Sequence, residues 1–329
     1  MPEPTTPVTY DCIIIGGGAA GLAAAVYAGR YLMRTLVLEG LNPGGETAVA
    51  WTVENYPGVP SVDGAELVAR MRAQAQAAGA ELVAGEAAGV AVHDHCFSVS
   101  TPSGATYLSR TLILAHGSHR RRLGLPRERE LTGHGVSYCA TCDGPLYRGK
   151  RVGIVGGGDA SVKGAILVAR YAREVVLMVR GDALTAEPVN RQVFDALANV
   201  QLAYGTEVVA LEGGTKLAAV QLSQPYGGSN RLELDGLFVE IGSQPNTELP
   251  QKLGLTLDAR GYLEVDPMMR TNVDGVYAAG DITNETGSFK QDIVAAAQGA
   301  IAATSAYQDI GLHGREACLV HARAVSVAQ

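Results

Sequence analysis

Long apolar runs are missing from this chain: no segment approaches the ~18 uninterrupted apolar residues of a membrane span, so none is expected to cross a bilayer. The opening Met1-Pro2-Glu3-Pro4-Thr5-Thr6-Pro7 lacks the basic start and apolar core of a secretion signal. Basic clusters are missing as well. With a formal net charge of -7 and no Lys/Arg-rich run, no positive field exists to gather phosphate backbones or anionic lipid. Nucleic acid and membrane surfaces are therefore excluded as expected partners, and the expected setting is the cytoplasm. Cysteine is scarce: Cys12, Cys96, Cys139, Cys142 and Cys318 are five in 329 residues, an odd and sparse set unlike a disulfide-stapled secreted scaffold. Only Cys139 and Cys142 are close in sequence.

What is present suits two compact domains with ordinary cores, at 47% hydrophobic and 18% charged residues. From Tyr10 a short apolar β-branched run, Asp-Cys-Ile-Ile-Ile, leads into Gly16-Gly17-Gly18-Ala19-Ala20-Gly21 and an Ala/Leu-rich helical stretch to about Arg34. The next buried strand, Thr35-Leu-Val-Leu-Glu39, ends on an acid and completes one βαβ unit. Alternating stretches between about Gly89 and Gly117 predict an antiparallel meander. The opening pattern recurs at Val152-Gly-Ile-Val-Gly156-Gly157-Gly158-Asp159-Ala160-Ser161, followed by a helical stretch and the strand Val175 to Val179. After the breaker-rich Gly242-Ser-Gln-Pro-Asn246 come Gly275-Val-Tyr-Ala-Ala-Gly280-Asp281 and an Ala-rich helix from about Gln291 to Tyr307. The expected fold is α/β, with two Rossmann-like, three-layer ββα dinucleotide-binding domains, the second inserted into the first. Residues 1–120 with 249–329 form the first domain and 121–248 the second. The tail after Tyr307, with His313, Cys318 and His321, shows no period and is left open.

A Gly-x-Gly-x-x-Gly turn between strand and helix lets the backbone approach a pyrophosphate at the helix N-terminus, where free N–H groups and the dipole favour anions. Gly16, Gly18 and Gly21 meet that pattern, and Glu39 is placed to accept ribose hydroxyls. The motif leaves FAD and NAD open, since both present the same adenosine diphosphate half. The strand ending in Gly280-Asp281 offers a carboxylate for the ribityl hydroxyls of an extended flavin. Cys139 and Cys142 have the spacing at which a turn or helix start brings two sulfurs within bonding reach and lowers one thiol pKa. The competing reading, half a zinc site, lacks a second pair of ligands, and no metal is expected. Asp143 follows directly and is a candidate proton shuttle or, more blandly, a helix cap. His93-Asp94-His95-Cys96 reads as a turn between meander strands before it reads as a metal site, because adjacent strand residues point to opposite faces. Cys12 reads as a buried core thiol, Cys96 and Cys318 as single.

Four stretches together resemble the low-molecular-weight thioredoxin reductase family over nearly the whole chain. They are the first glycine loop, Val53-Glu-Asn55-Tyr-Pro-Gly58, His134-Gly-Val-Ser-Tyr-Cys139-Ala-Thr-Cys142-Asp143-Gly144, and Ala278-Ala-Gly-Asp281 with Lys290-Gln291. The resemblance implies FAD in the first domain, NADPH in the second, a homodimer, and a cysteine pair that carries electrons to the disulfide of a small thioredoxin-like partner. It implies that Cys142 faces the flavin, that Cys139 attacks the partner disulfide and that Asp143 is the acid. It assigns FAD binding to Gly16, Gly18, Ala19, Ala20, Gly21, Glu39, Gly45, Glu46, Asn55, Gly117, Gly280, Asp281, Lys290 and Gln291.

The chain departs from that pattern in two places. Near the flavin, Gly44-Gly45-Glu46 replaces Gly-Gly-Gln, Ala115-His116-Gly117 replaces Ala-Thr-Gly, and Lys290 replaces Arg. In the second unit the family reads Gly-x-Gly-x-x-Ala and then His-Arg-Arg-x-x-x-Arg, the arginines clamping the 2'-phosphate of NADPH. Here the residues are Gly156, Gly158 and Ser161, with Asp159 and Ala160 between, then Val179-Arg180-Gly181 and Thr185. One arginine of three remains. Losing two should cost several kcal/mol, at roughly 1.5–3 kcal/mol per charged hydrogen bond. NADH is not rescued, because no acid ends the Val175 to Val179 strand and Asp182 is the nearest. The expected donor is therefore something other than NADPH, with the second domain vacant or holding another dinucleotide such as a second FAD, as in the family's two-flavin and ferredoxin-linked branches. Divergence with NADPH still bound through Arg180, and a non-catalytic flavin-binding sensor, are the alternatives.

Overall fold

The computed structural model describes residues 9–50, 52–93, 96–287 and 289–313. The chain divides into two compact units, Met1–Ser118 with Pro245–Gln329 and His119–Gln244. The first unit begins β1 (Thr9–Ile15), α1 (Ala19–Arg30), β2 (Thr35–Leu38), α2 (Gly45–Ala48), α3 (Gly64–Ala77), β3 (Glu81–Val83), β4 (Gly89–His93), β5 (Cys96–Ser100), β6 (Thr106–Leu114) and β7 (Ser118–Arg120). The second contains α4 (Glu128–Leu131), β8 (Val136–Ser137), α5 (Ala140–Asp143), a 3-10 turn (Gly144–Tyr147), β9 (Arg151–Val155), α6 (Asp159–Ala169), β10 (Glu174–Val179), α7 (Pro188–Asp195), β11 (Val200–Tyr204), β12 (Val208–Gly213), β13 (Leu217–Tyr226), β14 (Ser229–Glu233) and β15 (Gly236–Val239). The chain then passes through β16 (Ser243–Pro245) to α8 (Glu248–Lys252), β17 (Val276–Ala278) and α9 (Asp292–His313). No helix among the described residues is long and apolar enough to cross a membrane.

The sheet of the first unit runs β3-β2-β1-β6-β5-β4, with β17 also paired to β6. The second half of β1, Cys12–Ile15, is apolar because both of its faces are covered, as in parallel sheets generally. Cys12 and Ile14 point to α1, α3 and α9, while Ile13 and Ile15 point to Leu249, Leu253, Leu255 and Leu263 on the other face. Each fully buried Ile contributes roughly 1.5–3 kcal/mol. The predicted meander is β4-β5-β6, and its last strand also has a second role. The first half of β6 pairs antiparallel with β5, and its second half is a central parallel strand between β1 and β17. The alternation at Tyr107 and Leu108 gives way to the unbroken apolar run Leu112-Ile-Leu114, which marks that change of role.

The second unit repeats the plan on a smaller scale, with the sheet order β11-β10-β9-β15-β8 and an antiparallel layer β12-β13-β14. In β10, Val175, Leu177 and Val179 face one core and Val176 and Met178 the other. The connecting strands β7 and β16 pair with each other.

α9 continues past the expected end near Tyr307 to His313, and Cys318 and His321 lie outside the described residues. Cys96, read as single from sequence, is disulfide-bonded, and its partner lies outside the described residues. Within the HDHC segment, Asp94 and His95 are likewise outside them, His93 Nε2 pairs with Ser98 Oγ at 2.8 Å, and no metal-binding cluster occurs among the described residues.

Candidate functional site

Three parallel strands of the first unit end level with one another: Ile15 is in register with Leu114, and Leu114 with Ala278. The segments that follow, Gly16-Gly17-Gly18, Ala115-His116-Gly117 and Ala279-Gly280-Asp281, therefore stand side by side at the carboxyl edge of the sheet, where open α/β sheets bind nucleotides. Close packing dictates the glycines there. A Cβ at Gly16 would lie 2.2 Å from the Ala115 carbonyl oxygen, and one at Gly280 2.9 Å from Ala20 Cβ, and both residues have positive φ.

Gly18 differs from these. The protein atom nearest to its absent Cβ, Gly44 O, is 3.8 Å away, so the space in front of the turn is open. α1 starts there with no side-chain cap and no acidic residue in its first turn, leaving the N–H groups of Ala19, Ala20 and Gly21 for an anion. α3, by contrast, is capped by Asp63, which accepts from Ala65 N at 2.9 Å. Glu39 is 5% exposed, lies against Gly17 and is held by Arg72, a residue with no signal in the sequence because it comes from α3, 33 positions away.

The remaining predicted flavin residues gather nearby. Gly44 N donates to Gly17 O at 3.1 Å, joining the first turn to Gly45 and Glu46 at the start of α2. Thr47 of α2 donates to Asp292 at 2.6 Å, and Asn55 Nδ2 donates to Gln291 Oε1 at 2.8 Å, so α2, Asn55 and the start of α9 form one hydrogen-bonded cluster. Burial raises the Asp292 carboxyl above its ordinary range. Lys290 Nζ bonds Thr283 O and lies 4.5 Å from the Tyr262 ring centroid. Burial lowers its pKa. Gly280 N donates to the buried Gln298 Oε1 at 2.8 Å, a support that the sequence did not reveal. His116 Nε2 meets Asn246 O at 3.1 Å, while its Nδ1 and Ser118 Oγ are enclosed by the protein with no hydrogen-bond partner among the described residues. An uncapped helix end and an open cradle at Gly18 fit a flavin dinucleotide.

The second glycine turn shares the backbone device: a Cβ at Gly156 would lie 2.2 Å from Glu240 O. Its surroundings differ. Asp159, in the first turn of α6, accepts from Glu187 N at 3.1 Å and Asn190 at 2.8 Å and pairs with Lys163 at 2.8 Å. Burial alone would raise its pKa, but these bonds outweigh it and hold the carboxyl below its usual range. Thr185 N donates to Gly157 O at 2.8 Å, folding the loop after β10 against the turn. Arg180 has an 86% exposed side chain whose nearest ionic partner is Glu207 at 3.9 Å. Ala160 is exposed on α6. At the end of β15, Glu240 is buried against Arg120 at 3.3 Å, another pair too far apart in sequence to foresee.

Cys139 and Cys142 form a disulfide. Cys139 occupies the N-cap of α5, where its Sγ accepts the Cys142 N–H at 3.1 Å, a contact that also stabilises a thiolate on reduction. Cys142 is exposed and Cys139 half-buried. The capping role considered for Asp143 is absent: its half-buried carboxylate makes no cap hydrogen bond to the turn that follows.

A family model described as pyridine nucleotide-disulphide oxidoreductase matches residues 10–303. A thioredoxin reductase of Treponema pallidum is 39% identical over 90% of this chain and 96% of its own length. The structure of Lactococcus lactis thioredoxin reductase in its FR conformation superposes with a TM-score of 0.87 at 32% identity, covering 92% of this chain and 99% of that one. A ferredoxin-flavin thioredoxin reductase from Clostridium acetobutylicum gives a TM-score of 0.50 at 31% identity over 92% of this chain and 99% of that one. With one dinucleotide-binding unit inserted into another and its Cys139–Cys142 disulfide, the chain belongs to the pyridine nucleotide-disulphide oxidoreductases, as a flavoprotein enzyme of thioredoxin reductase type.

Proposed function

We propose that this enzyme passes electrons from FAD through Cys142 and Cys139 to a disulfide of a thioredoxin-like protein, and that its own electron donor is not NADPH. The state of Arg180 carries the second half: the one remaining arginine of the expected phosphate clamp is solvent-exposed and turned to a carboxylate. A dianionic 2'-phosphate needs several guanidinium contacts in fixed geometry, and nothing at Val179, Gly181 or Thr185 supplies them.

FAD, when bound, supplies the electron pair that opens the Cys139–Cys142 disulfide. Two electrons and two protons convert that disulfide to two thiols. The Cys139 thiol gives its proton to Asp143 and, as a thiolate, attacks one sulfur of the partner's disulfide; the other partner sulfur leaves as a thiolate that takes that proton from Asp143. The Cys142 thiol attacks Cys139 in turn, which re-forms the internal disulfide, and its proton goes to the partner's second sulfur, released as a thiol. The residues proposed to hold FAD are those of the first turn, Glu39, Gly45, Glu46, Asn55, Gly117, Gly280, Asp281, Lys290 and Gln291. The second turn, Gly156 to Ala160 with Arg180, is proposed to stay vacant or to hold another dinucleotide, a second FAD included, while electrons arrive from a flavin- or ferredoxin-type donor in the cytoplasm.

Flavin stoichiometry and anaerobic reduction test it. Two flavins per chain, or one that neither NADPH nor NADH bleaches, is the expected result; one flavin reduced promptly by a modest excess of NADPH overturns the donor assignment. Replacing Cys139 by Ser should abolish turnover of a thioredoxin-like disulfide while leaving flavin content unchanged.

A further inference from the structure

We propose that the Arg120–Glu240 pair sets how readily the reduced Cys139–Cys142 pair forms a thiolate, the carboxylate opposing ionisation and the guanidinium offsetting it; this rests on the reading of that disulfide as the working redox pair. Strand register places the carboxylate. Phe238 on β15 is in register with Ser137 on β8, and Glu240 and Cys139 each stand two residues further on. Glu240 is therefore the neighbour of Cys139 at the carboxyl edge of the second sheet. Its side chain turns toward α6, where Gly164 leaves room: a Cβ there would lie 3.9 Å from Glu240 Oε1 and 3.3 Å from Ala140 Cβ. The carboxylate and the helix that carries the disulfide thus meet over one point of α6.

The first unit shows that the fold does not require a charge at this position. Val239 pairs with Val155 as Leu114 pairs with Ile15, so Glu240 is the counterpart of Ala115. Each sets its carbonyl oxygen 2.2 Å from where a Cβ of the glycine turn would lie. Where the first unit buries a methyl group, the second buries a carboxylate with a 5% exposed side chain, 3.3 Å from Arg120. A buried ion pair is a poor source of stability compared with apolar packing of the same volume. What it adds is a field, and in a protein interior that field reaches the sulfurs. Arg120 is 32% exposed, so water screens the cation more than the anion and the carboxylate dominates. Few other titratable groups lie on the elements packed around α5. They are Asp143 on α5 itself, Tyr147 in the turn that follows, which burial keeps protonated, and Asp159 and Lys163 on α6, which pair with each other at 2.8 Å. The Cys142 N–H that Cys139 Sγ accepts favours a thiolate, and Glu240 opposes it. The balance keeps the attacking thiol close to ambient pH, where thiol–disulfide exchange is fastest.

Charge-removing substitutions test the sign. The dithiol enzyme, prepared with dithiothreitol and desalted without oxygen, is alkylated with iodoacetamide across a pH series, and modification of Cys139 and Cys142 is read by mass spectrometry. Glu240→Gln is expected to raise the ionisation constant of the reactive thiol roughly three- to tenfold, half to one pH unit toward acid. Arg120→Gln shifts it the other way, and Arg120→Lys, which keeps the charge, restores the wild-type profile. A pair that only holds the fold would move the two Gln variants in the same direction or leave both profiles unchanged, and either result overturns the proposal. Should a single variant fail to fold, the neutral double variant Arg120→Gln/Glu240→Gln decides: its profile moves toward acid by less than that of Glu240→Gln, and a wild-type profile overturns the proposal. Full turnover of a thioredoxin-like disulfide by Cys139→Ser would sink the reading of the redox pair itself, an outcome separate from an active pair whose ionisation ignores Glu240.

Discussion

The two glycine turns share one backbone trick and differ in everything around it. At Gly16 and at Gly156 a side chain would strike a carbonyl oxygen of a neighbouring segment, at 2.2 Å in both cases. Around the first turn the helix end is uncapped and free of acids, and the following strand ends on the buried Glu39 held by Arg72. Around the second, Asp159 sits in the first helical turn and the strand ends on Val179 with an exposed arginine. Backbone geometry thus preserves a nucleotide-binding shape after the groups that select the nucleotide have changed, because the shape depends on close packing and the selection on side chains.

The largest effect expected from breaking this contrast comes at Glu39. Arg72→Ala leaves a carboxylate with a 2% exposed side chain without its cation, which should destabilise the first unit by about 3 kcal/mol, somewhat below the full cost of breaking a buried pair because Arg72 is itself 31% exposed. Thermal unfolding followed by flavin fluorescence would show it; the comparable buried pair of the second unit is Glu240 with Arg120. Next in size is a paired substitution. Gly18 and Gly158 both have ordinary φ and room for a methyl group, their nearest neighbours being Gly44 O at 3.8 Å and Thr185 Oγ1 at 3.9 Å. Alanine at either position should fold normally, so any loss reports a ligand pressed against the turn. Gly18→Ala is expected to weaken FAD by about 1–3 kcal/mol, and Gly158→Ala to leave flavin content and turnover unchanged if the second turn is vacant. A Gly158→Ala enzyme that loses flavin or activity would instead point to a bound dinucleotide there. The smallest effect is a gain: Thr185→Arg, on an exposed position beside Gly158, should raise the rate of flavin reduction at low NADPH roughly tenfold by restoring one phosphate contact, and a wild-type rate already fast would break the contrast outright.

Much of the fold was legible because it rests on local chemistry. Ile13-Ile14-Ile15 before a glycine turn, with an Ala-rich helix after it, can form little else, and its recurrence at Val152 declared a second unit. The dual role of β6 was not legible, since pairing with β5, β1 and β17 is settled by strands far away in the chain. Within the site, the glycines and the cysteine pair announced themselves by spacing. Arg72, Gln298, Arg120 and Glu240 did not, for each acts through a partner between 18 and 120 positions distant. Cys96 was read as single because no close spacing to another cysteine marks its disulfide in the sequence.

By itself, then, the sequence determined two dinucleotide-type units, a closely spaced cysteine pair with Asp143 beside it, and the loss of two arginines from the second unit, all of which are properties of short segments. The tertiary structure decided what those segments are worth. Strand register sets His116 between Gly17 and Gly280, α3 brings Arg72 to Glu39, and the loop after β10 leaves Arg180 facing Glu207 in solvent. Spacing along a chain fixes which residues can turn or bond locally, but which charges and lone pairs end up enclosed depends on elements that meet only when the sheets form.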